Sequence, residues 1–412
     1  MIDLRKYFLI YGYGISGKSI SRYLKRKKSS YKVYDDFSDL SSVKESINLQ
    51  ELKKTIKTFD YFIVSPSIKI NKNHILYPFK KKILIDLDFL SLEIKDQIVF
   101  GVTGTEGKST ICSYLSQYLS DFFKTIIIGN YGNTILDKDN FEKILSKTKI
   151  IIIELSSYQL DKIKFLKINH AIITNIYSDH LQYHGTFSNY VKSKFKIQSL
   201  LIKNGSLHIS NIEKRRYSTL INTHNKNINI ISNMSFHNKI FGFDINLLNE
   251  YFTKSIISYC RFDFNQSKKL KNLPFRNELI KNTSHIKIIN DSKSTNLENS
   301  IIKINQINLK KKIIILGGSP KKTNEKKNII KNSLVLIFGP NRSRINKRIQ
   351  YINSKYFTFV DLENLFKFLK VIVHQTKWDV VLFSPGGESF DQFKDYSHRG
   401  RVFNKYIKKF KI

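Results

Sequence analysis

The sequence predicts an α/β protein of several domains built on mainly parallel sheets, and three observations lead there. Short β-branched runs alternate with longer stretches of helical period from end to end, the pattern of parallel strands joined by crossover helices. Nearly every run stops at a loop rich in Gly, Ser, Asp or Asn, and ligands of open α/β sheets sit at such strand ends. The chain has 412 residues, more than one hydrophobic core supports, and at about 100–200 residues per domain three domains are expected.

Strands are expected over 7–11, 61–64, 98–102, 150–153, 171–174, 286–289, 312–316, 334–338 and 380–383, with a further one ending at Tyr34-Asp35. Domain boundaries are placed near 92 and 273, giving segments 1–92, 93–273 and 274–412. The polar, Asn- and Lys-rich stretch 204–271 is the most weakly patterned part.

Composition narrows the function classes. Hydrophobic residues at 41% supply packed cores, while no segment reaches the ~18 apolar residues of a membrane span. The first apolar run contains glycines and lacks a small-residue cleavage site, so a cytoplasmic protein is expected. Cys112 and Cys260 form neither a metal-type spacing nor a disulfide framework and read as packing residues. A net charge of +37 raises nucleic acid as a partner. The lysines are dispersed, however, and Ala171 is the only alanine, as codon drift in an A+T-rich genome would produce, so nucleic-acid binding is not expected.

The motifs follow in chain order. The run 7–11 enters Gly12-Tyr13-Gly14-Ile15-Ser16-Gly17 and then a helical stretch. Glycines there allow a tight turn with a helix N-terminus facing a phosphate, which leaves open a nicotinamide or flavin site, another nucleotide such as a UDP-sugar, or a mere tight turn. Gly101-Val102-Thr103-Gly104-Thr105-Glu106-Gly107-Lys108-Ser109-Thr110 is more specific, because it follows an apolar strand and opens a helix. Backbone N–H groups of such a loop cradle phosphates, Lys108 neutralises charge and Ser109 is a candidate Mg²⁺ ligand. Gly104 stands only three residues before Gly107, a departure from the commonest spacing. An ATP site is the reading.

The run 150–153 ends in Glu154-Leu155-Ser156-Ser157-Tyr158-Gln159-Leu160. A strand-end carboxylate beside a phosphate loop can hold Mg²⁺ through a hard oxygen, the alternative being an exposed helix-capping Glu. His180 and His184, four apart, could share a transition metal or be ordinary hydrogen-bonded histidines.

Together these segments resemble the Mur ligases over the whole chain. Gly104 to Thr110, Glu154 to Leu160 and Asn290-Asp291-Ser292-Lys293-Ser294-Thr295-Asn296 carry the resemblance, and Ser384-Pro385-Gly386-Gly387-Glu388-Ser389-Phe390-Asp391-Gln392-Phe393 is similar to the branch that adds D-glutamate. The resemblance implies a Rossmann-like N-terminal domain, a central P-loop ATPase-like domain with a mainly parallel sheet, and a C-terminal Rossmann-like α/β domain. It implies an ATP- and Mg²⁺-dependent ligase, acting as a monomer, that joins D-glutamate to UDP-N-acetylmuramoyl-L-alanine through an acyl phosphate.

By the same resemblance Ile15, Ser16, Asp35 and Asn130 would bind the UDP precursor; Phe37 stands where relatives often carry a basic residue, and from its position alone its ring is expected to pack on the uracil. Gly104, Thr105, Gly107, Lys108, Ser109, Thr110, Asp291 and Lys293 would bind ATP, and Arg276 would reach its phosphates. Ser109 and Glu154 would hold one Mg²⁺ and His180 a second, bridged by a carbamylated Lys194, a residue that sequence alone reads as a surface lysine. Thr295, Lys321, Ser389 and Tyr396 would bind D-glutamate. Glu106 stands where relatives carry Asn, Phe275 where they carry His, and Ser67 where they carry Gly. Gly242-Phe243-Asp244-Ile245-Asn246 replaces a Gly-x-His-Asn segment, leaving the adenine contacts unassigned. The rival readings are another amide ligase of the same architecture, a nucleic-acid-associated regulator and a dehydrogenase.

Overall fold

The computed structural model describes residues 2–131, 134, 136, 138–222, 227–232, 245–320 and 327–409. The chain divides into two compact units, Met1–Ser232 with Phe252–Lys268, and Asn233–Tyr251 with Lys269–Ile412.

The first unit holds two sheets. In one, β1 (Phe8–Tyr11), β2 (Tyr31–Tyr34), β3 (Tyr61–Val64) and β4 (Ile83–Leu84) pair in parallel in the order β2-β1-β3-β4. The other contains β5 (Ile98–Thr103), β6 (Thr125–Gly129), β7 (Ile150–Glu154), β8 (Ile168–Ile173), β9 (Leu201–Ser210) and β10 (Asn227–Ile231), all parallel, in the order β10-β9-β8-β5-β7-β6. Every residue of β7 is buried. Its unbroken Ile-Ile-Ile-Ile run reflects a parallel strand covered on both faces, where alternation with polar residues would leave polar groups in the core. Tyr23, from helix α1 (Ile15–Arg26), packs edge-on against Phe89 and Phe141, so one apolar core joins the two sheets.

In the second unit β11 (Glu278–Asn282), β12 (Lys287–Asn290), β13 (Lys312–Gly317), β15 (Leu334–Phe338), β17 (Lys355–Phe359) and β18 (Val380–Gly386) run in the order β11-β12-β18-β13-β15-β17. β11 alone is antiparallel to its neighbour. β14 (Asn328–Lys331) and β16 (Ile349–Ile352) form a separate parallel pair.

The three larger sheets span residues 8–84, 98–231 and 278–386, and the expected strands are present with ends shifted by a few residues. The weakly patterned stretch contains β10 and a helix, Ile245–Tyr259. Residues 242–244, in the segment without assigned adenine contacts, lie outside the described residues, as does Lys321. Among the described residues no helix is long and apolar enough to cross a membrane.

Candidate functional site

β5 runs directly into the glycine loop, and helix α2 (Lys108–Leu119) leaves it. Gly107 caps α2 with φ 79°, a left-handed conformation that glycine adopts without a Cβ penalty. At Gly104 an added Cβ would lie 1.8 Å from the Thr174 hydroxyl. The loop is tied to the end of β8. Thr105 N–H donates to the Asn175 carbonyl at 2.8 Å and Glu106 N–H to Asn175 Oδ1 at 2.9 Å, while the Thr174 hydroxyl donates to the Glu106 carbonyl at 2.6 Å. The resulting turn precedes the positive end of α2, where phosphate oxygens are stabilised.

Two lysines converge on this turn. Lys108 Nζ donates to the Gly104 and Thr105 carbonyls, both at 2.9 Å, and Lys194 Nζ donates to the Gly104 carbonyl at 2.7 Å. Lys194 is 2% exposed, which corrects its reading as a surface residue. It lies one helical turn after Tyr190 on α4 (Phe187–Phe195; α3 is Ser157–Lys162), and its Nζ sits over the Tyr190 ring at 4.6 Å. Burial, and then the charge of Lys108, push its pKa well below that of an ordinary lysine, against the opposing pull of Asp179 and Glu154. The Tyr190 hydroxyl in turn lies 2.9 Å from Thr105 Oγ1.

Glu154 ends β7 and is 2% exposed. Its Oε2 accepts from the Ser109 hydroxyl at 2.5 Å and its Oε1 from Asn130 Nδ2 at 2.8 Å. Gly129 (φ 98°) lets β6 close on it, since a Cβ there would stand 2.4 Å from the Glu154 carbonyl. The helix-capping alternative for Glu154 fails, because Ser156 caps α3 in a reciprocal capping box with Gln159. A buried carboxylate with a hydroxyl is a hard-oxygen donor set suited to Mg²⁺.

His180 adopts φ 54°, unusual for a residue with a Cβ. Its Nδ1 lies 2.6 Å from the Tyr158 hydroxyl and its Nε2 3.4 Å from Asp179. His184 directs Nε2 to the Ser157 hydroxyl at 3.0 Å, and burial pushes its pKa down to about 4. Each imidazole thus has its own partner, and the ordinary-histidine reading holds for His184.

A cleft of about 430 Å³ lies between the loop after β1 and the strand ends of the second sheet, lined by Ile15, Ser16, Asp86, Asn130, Ser156 and Tyr158 among others. Ile15 is 80% exposed. Burial pushes the Asp86 carboxyl up, opposed by a hydrogen bond from Ser16. Asp35, expected at the precursor, is held by three backbone donors. Its oxygens accept from the backbone N–H groups of Tyr13 at 2.6 Å and of Phe37 and Ser38 at 2.8 Å. Burial would raise its pKa, yet these donors hold it below the usual carboxylate range. Asp35 shapes both loops, while the Phe37 ring stands 97% exposed.

In the second unit the two specific stretches meet. Arg399, on α7 (Tyr396–Lys408; α5 is Ile245–Tyr259 and α6 Leu297–Gln306), is fully buried. It donates to the Ser292 carbonyl at 2.7 Å, the Ser292 hydroxyl at 3.1 Å and the Gly387 carbonyl at 2.9 Å. Burial pushes its pKa down to about 10. Lys293 Nζ lies 4.2 Å from the centroid of the Tyr396 ring. Ser389 is buried and Thr295 and Arg276 are half-buried. Asp291, expected to line a nucleotide, accepts from Lys303 at 2.7 Å, from the Ser384 hydroxyl at 3.1 Å and from Asn277 N–H at 3.3 Å.

The sequence assigned no individual role to Asp86 and Tyr158, which line the cleft, or to Arg399, which bonds Ser292 to Gly387. Sequence reasoning missed a polar cluster as well. His170 Nδ1 and His208 Nε2 lie 3.3 Å apart on neighbouring strands β8 and β9, with Cys260 Sγ 3.6 and 4.0 Å from them. Burial pushes His170 down to about 4 and the Cys260 thiol up to about 12. Cys112 is fully buried, as a packing residue should be, but Cys260 belongs to this polar group.

Residues 102–283 match the family described as Mur ligase middle domain. The chain is 28% identical to a UDP-N-acetylmuramoylalanine--D-glutamate ligase of Francisella tularensis subsp. tularensis (strain WY96-3418), covering 97% of this chain and 95% of the relative. Among solved structures it is similar to the MurF ligase of Thermotoga maritima in complex with ADP, at TM-score 0.57 and 15% identity over 99% of this chain and 100% of that one. A pseudomurein peptide ligase type C from Methanothermus fervidus aligns at TM-score 0.51 and 15% identity, covering 98% of this chain and 100% of that one.

Proposed function

We propose, from the premise that this chain belongs to the Mur ligase family, that it is the ligase adding D-glutamate to UDP-N-acetylmuramoyl-L-alanine. Family membership makes it an ATP-dependent amide-forming ligase of peptidoglycan precursor synthesis. The choice of D-glutamate is supported by the near full-length likeness to relatives of that name and by the Ser384 to Phe393 stretch. One observation carries the catalytic reading: Lys108, Ser109 and Glu154 gather at one strand-to-helix turn, with Ser109 Oγ 2.5 Å from Glu154.

A carboxylate is a poor electrophile, so the muramoyl-alanine carboxylate attacks the γ-phosphorus of ATP, and the P–O bond to ADP breaks. The D-glutamate amine then attacks the acyl carbon. Its N–C bond forms as phosphate leaves, and the ammonium proton passes to solvent or a nearby base. Negative charge accumulates on phosphoryl oxygens in both steps, and Lys108 together with the loop N–H groups is the protein's means of offsetting it. Mg²⁺, which Ser109 and Glu154 fit, supplies charge neutralisation when bound. We assign His180 to a second Mg²⁺, Ile15, Ser16 and Asn130 to the precursor, and Arg276 to ATP phosphates. Asp291 and Lys293 we assign to the nucleotide, and Thr295, Ser389 and Tyr396 to the D-glutamate end.

Phosphate release from ATP with UDP-N-acetylmuramoyl-L-alanine tests the reading, comparing D-glutamate with L-glutamate, L-lysine and a dipeptide. D-Glutamate alone should stimulate it. Stimulation by the dipeptide or L-lysine instead would reassign the amino-acid step.

Two narrower outcomes are expected. Phe37→Ala should raise the KM for the precursor about tenfold, the ~1.4 kcal/mol of one aromatic contact, with kcat unchanged. An unaltered KM would remove Phe37 from the uracil site. For Lys194, a depressed pKa leaves a larger fraction as free amine, the form that attacks CO₂ to form an N–C bond with loss of a proton. Protein equilibrated with ¹³C-bicarbonate should show a carbamate carbonyl resonance that Lys194→Arg lacks. If wild-type protein shows no such signal, Lys194 acts as an amine.

A further inference from the structure

We propose that His170, His208 and Cys260 form a Zn²⁺ site on the central sheet, separate from the phosphate loop. The three donor atoms are the same in every pairwise contact: His170 Nδ1, His208 Nε2 and Cys260 Sγ, spaced 3.3, 3.6 and 4.0 Å. With Zn–N bonds of about 2.0–2.1 Å and a Zn–S bond of about 2.3 Å, tetrahedral coordination puts N···N edges at about 3.3 Å and N···S edges at about 3.6 Å. Two of the observed edges match, and the third is longer by a few tenths of an ångström.

The surroundings fit a held ligand set. His170 stacks on Phe100 at 4.6 Å, and the His208 ring meets Tyr259 edge-on at 5.3 Å, so neither imidazole swings freely. Asn229 Nδ2 lies 3.0 Å from His208 Nδ1. With the carboxamide flipped so that Oδ1 accepts from Nδ1–H, Nε2 would be the bare donor, the outer-shell device that fixes the tautomer of a metal-bound histidine. His208 is fully buried while His170 and Cys260 are partly exposed, which leaves an entry path and a fourth position for water. As the Zn–S bond forms, the thiol proton passes to solvent.

The site lies away from the proposed chemistry along the strands. His170 is level with Phe100 of β5, four residues before Gly104. A metal there would staple β8 and β9 to the residue that follows α5, a structural role.

The test uses the full chain, stripped by chelator and titrated with Co²⁺ and with Zn²⁺ alone. Wild-type protein is expected to take one Co²⁺ with a thiolate-to-cobalt charge-transfer band, which the oxygen donors at Ser109 and Glu154 cannot produce. Zn²⁺ should bleach that band and raise the Tm. Cys260→Ser should abolish it, and Asn229→Ala should weaken Zn²⁺ binding about 10–100-fold, the usual effect of losing an outer-shell partner. Absence of the band in wild-type protein, or its survival in Cys260→Ser, would overturn the proposal. If Cys260→Ser does not fold, the wild-type spectrum and the Zn²⁺ melt decide alone.

Discussion

Lys108→Ala is expected to lower the rate of ADP formation by about 10²–10³-fold, the scale seen when one preorganised donor to a developing oxyanion is removed. Its ammonium lies at the mouth of the loop, 2.9 Å from two loop carbonyls, at the first position of α2. No other lysine in the loop can take its place. Lys194 shares the Gly104 carbonyl but is fully enclosed, and burial favours its uncharged form. The fold should survive. Asn175 and Thr174 hold the turn through backbone atoms of Thr105 and Glu106, and none of those bonds involves Lys108. Steady-state ADP release with both substrates, beside a thermal melt, separates the outcomes. Turnover near wild type in a folded Lys108→Ala protein would remove the phosphate role.

Glu154→Gln is expected to match that loss, about 10²–10³-fold, with the Mg²⁺ needed for half-maximal rate shifted upward. The replacement keeps the volume and removes the negative charge that a hard cation requires. Glutamine can still accept from Ser109 or Asn130, so the loop between β7 and α3 should keep its shape, since Ser156 and Gln159 cap the helix independently. The Mg²⁺ titration distinguishes a lost ligand from a merely disturbed loop. A lower rate with an unchanged Mg²⁺ requirement would mean that Glu154 acts only by orienting Asn130, 2.8 Å away.

Much of the catalytic half was legible in the sequence because its parts are contiguous. A strand, a glycine-bearing turn and a helix supply the phosphate loop from neighbouring residues. The four-isoleucine run before Glu154 announces a strand buried on both faces, so its last residue points to a sheet end. The second unit was less legible. Lys321, expected at the amino-acid end, lies outside the described residues, and Asp291, expected on the nucleotide side, accepts from Lys303. At Asp35 the structure adds what the sequence did not show, three backbone N–H donors from Tyr13, Phe37 and Ser38.

By itself the sequence determined the α/β class, the place of the glycine-bearing strand-to-helix turn and the groups proposed to meet phosphate and magnesium. Local chain geometry is enough for these, because backbone N–H groups, a helix end and adjacent side chains are delivered together. Only the tertiary structure decided that Lys194 is buried, that Arg399 links two distant motifs, and that His170, His208 and Cys260, separated by 38 and 52 residues, meet at hydrogen-bonding distance. Those facts depend on which strands pair and in what register, and register is fixed by packing across the whole sheet rather than by any neighbouring residue.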